Sequence, residues 1–186
     1  MNIKRFTSAV AVALALAVTG CASAASATAA STTTTAAPGR NTHMTLYSIN
    51  SDGPAFQAIV TGAIGDHGQA VSVFPDGRVD PQHDHDLSLR LTRGSFLLNG
   101  AVLDRRFVAA LYHQRGNPDT CSVSATMTAA VPVVAGSGTG AYRGVTGTFT
   151  LTATVDEIDT KSTCTTTGKF IAQVLVISGS GTVRIG

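Results

Sequence analysis

Apolar and polar residues alternate strictly over long stretches of this chain. From Val145 the odd positions read Val145, Gly147, Phe149, Leu151, Ala153 and Val155, while Thr146, Thr148, Thr150, Thr152 and Thr154 fill the gaps. A period of two sends alternate side chains to opposite faces of a pleated strand, and threonine, β-branched and tolerant of water, suits the outer one. Cys121, Val123, Ala125, Met127, Ala129, Val131 and Val133 alternate in the same way, with Ser122, Ser124, Thr126 and Thr128 opposite. Leu87, Leu89 and Leu91 alternate with Ser88, Arg90 and Thr92, and Phe107, Ala109 and Leu111 continue the theme. Turn-forming clusters separate the runs: Asp52-Gly53-Pro54, Pro75-Asp76-Gly77, Asn99-Gly100, Gly116-Asn117-Pro118-Asp119 and Gly136-Ser137-Gly138-Thr139-Gly140. The pattern predicts strands over 44–50, 55–64, 69–74, 79–92, 95–102, 105–113, 121–134, 144–156, 167–178 and 181–185, and no helix beyond the N-terminal leader. About eight to nine antiparallel strands with one oily face must bury that face by closing into a barrel or packing as a pair of sheets, and the fold class expected is all-β, a closed antiparallel β-barrel. Its inward positions are rich in Ala, Val and Gly, which leaves room for a cavity.

The N-terminus reads differently. Met1 to Arg5 is basic, and Ser8 to Val18 is an apolar run, shorter than the about 20 residues a membrane-spanning helix needs. Residues 1–20 therefore read as an export signal. Val18-Thr19-Gly20-Cys21 resembles the bacterial lipobox, which implies acylation of Cys21 and a lipid anchor in the cell membrane. The alternative is cleavage after Ala24 or Ala27 and release, since Ala22-Ser23-Ala24 and Ala25-Ser26-Ala27 both fit the small-x-small rule. Residues 21–42 are nearly all Ala, Ser and Thr and read as a disordered tether, leaving 43–186 as the β-barrel domain.

Composition narrows the classes. Charged residues make up 13% of the 186, Trp is absent and Glu157 is the sole glutamate, which excludes a coiled coil. Hydrophobic residues at 44% exclude wholesale disorder. The formal charge of +2 disappears once Lys4 and Arg5 leave with the signal. No basic stripe remains, so no nucleic-acid partner is expected, and membrane contact is expected through the lipid anchor alone.

The segment Gly136-Ser137-Gly138-Thr139-Gly140-Ala141-Tyr142-Arg143-Gly144-Val145-Thr146-Gly147 resembles the glycine-rich turn of the allene oxide cyclase and dirigent barrel superfamily. Phe74-Pro75-Asp76-Gly77 and Pro118-Asp119-Thr120-Cys121 look like landmarks of small exported actinobacterial proteins with such a domain. The resemblance covers residues 44–186. It implies an antiparallel barrel whose apolar interior takes a hydrophobic molecule, with Tyr142 covering the rim and copies assembling as a homo-oligomer through the barrel wall. In characterised relatives the interior steers a cyclisation or a radical coupling. No segment matches the plant enzymes' active-site motifs, so those catalytic residues do not carry over. A phosphate-binding loop is the competing reading of the glycines, but no helix follows and no Lys-Ser/Thr closes it.

Three sets of residues carry candidate chemistry. Cys121 begins one predicted strand and Cys164 lies just before another, and outside the cytoplasm two spare thiols pair, so a disulfide is expected. His83-Asp84-His85-Asp86 is the richest polar cluster. In a strand His83 and His85 share the face of Leu87, Leu89 and Leu91 and line the barrel mouth. Such a pair contacts a ligand, serves as acid or base, or binds Zn²⁺ or Cu²⁺ if His67, His113 or His43 supplies a third ligand. The plain alternative is a solvated strand end, and no metal or cofactor is assigned. His113 ends the Phe107/Ala109/Leu111 face and looks toward a rim. No Gly-x-Ser-x-Gly elbow supports a hydrolase. The function expected is binding of a small hydrophobic molecule, with His83, His85, His113 and Tyr142 as contacts. Alternatives are a cyclase or isomerase acting in the same cavity and a structural envelope protein without a ligand.

Overall fold

Most of the alternating runs do pair. The computed structural model describes residues 38–49, 55–113, 116–160 and 170–186. The export signal, Cys21, most of the tether and Cys164 lie outside the described residues. Eight strands form one antiparallel sheet: β1 (Arg40–Ile49), β2 (Ala55–Gly62), β3 (Asp66–Val73), β4 (Asp86–Leu91), β5 (Gly94–Leu98), β6 (Ser122–Pro132), β7 (Thr146–Asp159) and β8 (Phe170–Arg184). The order across the sheet is β5-β4-β3-β2-β1-β8-β7-β6. Two meanders thus join where the first strand meets the last, with Arg40 opposite Val183 and Ile49 opposite Val174. Among the described residues a single α-helix, α1 (Gly100–His113), connects the two outermost strands. No helix among the described residues is long and apolar enough to cross a membrane.

The alternation sorts the faces as expected. Phe149, Leu151, Ala153 and Val155 of β7 and Ala125, Met127, Ala129 and Val131 of β6 are buried on one side. All but Ala125 and Val155 pack in one core with Met44 and Leu46 of β1, Phe56, Ala58 and Val60 of β2, and Leu87, Leu89 and Leu91 of β4. On the other side the threonines form cross-strand pairs, Thr126 with Thr154 at 3.1 Å and Thr128 with Thr152 at 2.9 Å. Such pairs stabilise antiparallel strands by about 0.2–1 kcal/mol each. Thr42 breaks the pattern: it is buried on the inner side, and its Oγ1 has no hydrogen-bond partner among the described residues. Thr42→Val keeps the shape and removes the unmet hydroxyl, so chemical denaturation should show the variant about 1 kcal/mol more stable than the parent.

The sheet departs from the expected closed barrel. It curls into a half-barrel whose outer strands meet at one end only, through the bridge between Leu98 and Val133. There Asn99 N donates to Pro132 O, and Val134 N to Leu97 O, each at 2.9 Å. The reason is a mismatch of length: β5 has 5 residues and β6 has 11, so on the side away from β7 most of β6 has no strand to pair with. The helix packs along β6 instead.

Other strand assignments change as well. The segment 105–113 belongs to α1, because Leu103, Phe107 and Leu111 recur at helical spacing after Asn99, a favoured residue just before a helix. Of 79–92 only Asp86–Leu91 is strand; the rest loops around the buried Asp80. The expected break between 178 and 181 is absent: Phe170–Arg184 is one strand, β8, while residues 167–169 lie outside the described residues. Gly179 there is no turn residue: a Cβ on it would lie 1.9 Å from the carbonyl oxygen of Thr150, so the close approach of β7 and β8 demands glycine. β1 also starts earlier than expected, at Arg40.

Candidate functional site

Where α1 bridges the open side of the half-barrel it does not seal it. A cavity of about 390 Å³ lies between the helix and the inner face of the sheet. The sheet supplies Phe56, Leu87, Met127, Ala153, Leu175 and Ile177, and the helix supplies Leu103, Asp104, Phe107 and Val108. The helix residues fall at i, i+1, i+4 and i+5, one stripe of a 3.6-residue period. Gly100 lets the helix start close to the sheet, since a Cβ there would lie 2.4 Å from the carbonyl oxygen of His85. The loop 81–85 completes the wall with Gln82, His83 and His85.

That loop is organised by one carboxylate. Asp80 has 0% exposure. It accepts hydrogen bonds from the amides of Gln82 at 2.9 Å, Asp84 at 3.0 Å and His85 at 3.2 Å. Its Oδ2 also lies 3.1 Å from His85 Nδ1. Burial pushes the Asp80 carboxyl up, but the donors from Gln82 and His85 outweigh it and hold it below the usual carboxylate range. His85 moves up, chiefly through its hydrogen bond to Asp80, against burial and with help from Asp84. Its ring meets Phe74 edge-on, with centroids 4.9 Å apart.

His83 and His85 both reach the cavity, but not from a shared strand face. His83 has φ of 61°, a left-handed conformation that costs a residue with a Cβ about 1 kcal/mol. It turns away from His85, to a 2.9 Å hydrogen bond between its Nδ1 and Oγ of the buried Ser72. Its ring lies edge-on to Phe56 at 6.0 Å. The His-x-His geometry of a metal pair is therefore not formed. Asp80, Asp84 and His85 do bring one ligand atom each within 4.8 Å of one another, but Asp80 Oδ2 already serves three donors. His43 bonds Ser180 at 3.0 Å on the outer face, and His67 is exposed beside Asp66. His113 ends α1, and its side chain lies outside the described residues.

Tyr142 does not line the cavity. It is 1% exposed in a 3₁₀ turn (Gly140–Tyr142) where Gly140 takes φ of 55°. Its ring meets Phe96 edge-on at 5.5 Å, and its hydroxyl donates to Asp66. Burial and the Asp66 carboxylate raise the phenol to about 12. Cys121, just before β6, is buried with φ of 52°.

Asp104 is the lining residue that strand reasoning missed, together with Leu103 and Phe107. The helical spacing of Leu103 and Phe107 was the available signal. Burial raises the Asp104 carboxyl, and Asp84 and Asp80 add to it against His83 and Arg105. A wider groove of about 1000 Å³ lies among the outer threonines around Gly147, Thr148, Ser180 and Thr182. Nothing in its wall is more apolar than a threonine methyl, which makes it a poor receptor for an oily molecule. No family model, curated protein or solved structure matches this chain.

Proposed function

We propose that this is an exported, lipid-anchored protein that binds a small hydrophobic molecule between its half-barrel and α1. The observation that carries the reading is the cavity of about 390 Å³ with Phe56, Leu87, Leu103, Met127 and Ile177 in its wall. Small-molecule sites run about 300–1,000 Å³, are mostly apolar and hold a few placed polar groups, here Ser72, His83, His85 and Asp104. A filled structural barrel needs no such space. The basic leader, the short apolar run and Val18-Thr19-Gly20-Cys21 support export and anchoring. The eight-stranded antiparallel half-barrel supports the allene oxide cyclase and dirigent resemblance at the level of architecture only. Pairing of Cys121 with Cys164 belongs to the same exported reading.

One observation favours catalysis as a second reading. The Ser72–His83 hydrogen bond lies in the cavity wall, so polar groups that could move a proton reach its interior. A cyclase or isomerase acting on a hydrophobic substrate would use them.

Nile red, a neutral apolar dye, tests the binding reading. Saturable binding of one dye per chain is expected. Ala153→Phe, which fills the floor, should weaken it about tenfold, or about 1.4 kcal/mol, without unfolding the protein. Dye binding that ignores this substitution would place the site elsewhere.

A further inference from the structure

Resting on that reading, we propose that the molecule held in this cavity is a cationic amphiphile: an apolar body on the Phe56–Leu103–Ile177 floor and an amine or ammonium head against Asp104. The charge pattern around the cavity carries this. Among the described residues no Lys or Arg lines it. Among the described residues Asp104 is its only lining carboxylate, half-buried on the second turn of α1, and no hydrogen bond or ion pair reaches it. A desolvated carboxylate without a partner is costly, and a cationic ligand removes that cost on binding. Asp80 and Asp84 act on Asp104 as like charges, against His83 and Arg105, and the His85 imidazole in the wall is already held by those two aspartates. Arg105 follows Asp104 on the helix but is exposed and does not line the cavity. Phe107, one turn on, offers an aromatic ring beside the head-group position, which suits a cation and does nothing for an anion. A fatty carboxylate of the same length would face Asp104 with Asp80 and Asp84 behind it, so the site selects by repulsion as well as attraction.

Three probes with one twelve-carbon tail separate the terms: dodecylamine, dodecanol and dodecanoate, each displacing Nile red from the full-length protein at neutral pH and below its micelle threshold. The amine should bind at least about tenfold more tightly than the alcohol, and the carboxylate more weakly than the alcohol. Asp104→Asn should shrink the amine-to-alcohol ratio about tenfold, whereas Asp119→Asn, on an exposed loop away from the cavity, should leave it in place. Thermal melts confirm that both variants fold. An amine that binds no better than the alcohol, or a ratio that survives Asp104→Asn, overturns the inference and leaves the cavity reading standing. Failure of all three probes to displace the dye overturns both.

Discussion

Asp66→Ala should cost about 4 kcal/mol of folding stability, the largest loss expected from any single substitution here. The Asp66 side chain is 2% exposed at the first residue of β3. It accepts from Thr92 Oγ1 at 2.5 Å, from the Tyr142 hydroxyl, and from the amides of His67 at 2.8 Å and Arg93 at 3.1 Å. Arg93 Nε approaches at 3.5 Å, and the guanidinium also donates to the carbonyl of Ile64. One carboxylate thus fastens the start of β3, the β4–β5 turn and the 3₁₀ turn before β7. Alanine leaves several donors buried without acceptors, each costing about 1–3 kcal/mol. Tyr142→Phe, which removes one donor and keeps the ring on Phe96, should cost only about 1–2 kcal/mol. Burial pushes the Asp66 carboxyl up, but the bonds from Thr92, Tyr142, His67 and Arg93 win and hold it far below the carboxylate range. A group lowered in the folded state contributes fully above its unfolded pKa, and that contribution fades as pH falls below about 4. Urea titrations from pH 7 down to 2 should therefore show a steep acid limb in the parent and a shallower one in Asp66→Ala. Equal limbs would mean that Asp66 is not the group whose protonation unlocks the fold.

Asp80→Ala should come second, at about 3 kcal/mol, and should carry the binding site with it. Three amides and one imidazole lose their acceptor together. The loop they hold carries His83 and His85 into the cavity wall, so Nile red affinity should fall along with stability. The pH dependence has two opposite arms. Asp80 is lowered on folding, so its contribution drains away as pH falls below about 4. His85 is raised, so its contribution is complete below about 6.5 and is lost as pH climbs through its folded value. Melting temperature measured against pH should peak in the mildly acidic range between these limits. His85→Gln should flatten the upper arm and leave the lower one in place.

The strands of the half-barrel could be read directly because their two faces meet different media, so Thr146–Val155 and Ser122–Ala129 alternate without a break. Alternation misled where it was short. Phe107, Ala109 and Leu111 fit a strand, but Leu103, Phe107 and Leu111 fit a helix equally well, and the residues between them, Arg105, Arg106 and Ala110, are good helix formers. The stretch before β4 failed for a different reason. Asp80 competes for the backbone amides of Gln82, Asp84 and His85, and wins them from any sheet ladder. His83 and His85 were legible as candidates, and both do reach the cavity, though by opposite turns of a loop. The joining of Asp66 to Tyr142, 76 residues away, leaves no local trace in either segment. Asp104 became visible only once its segment was seen to be helical, because its chemistry depends on which face it occupies.

The unequal lengths of β5 and β6 have one more consequence. A strand of 11 residues with a free side is an invitation to intermolecular pairing, and the helix lying along β6 is what withholds it. The same segment that walls the cavity thus acts as a guard against fibril growth. Conditions that prise α1 from the sheet while leaving the strands intact should favour aggregation before they favour unfolding, and an occupant that holds the helix down should delay both.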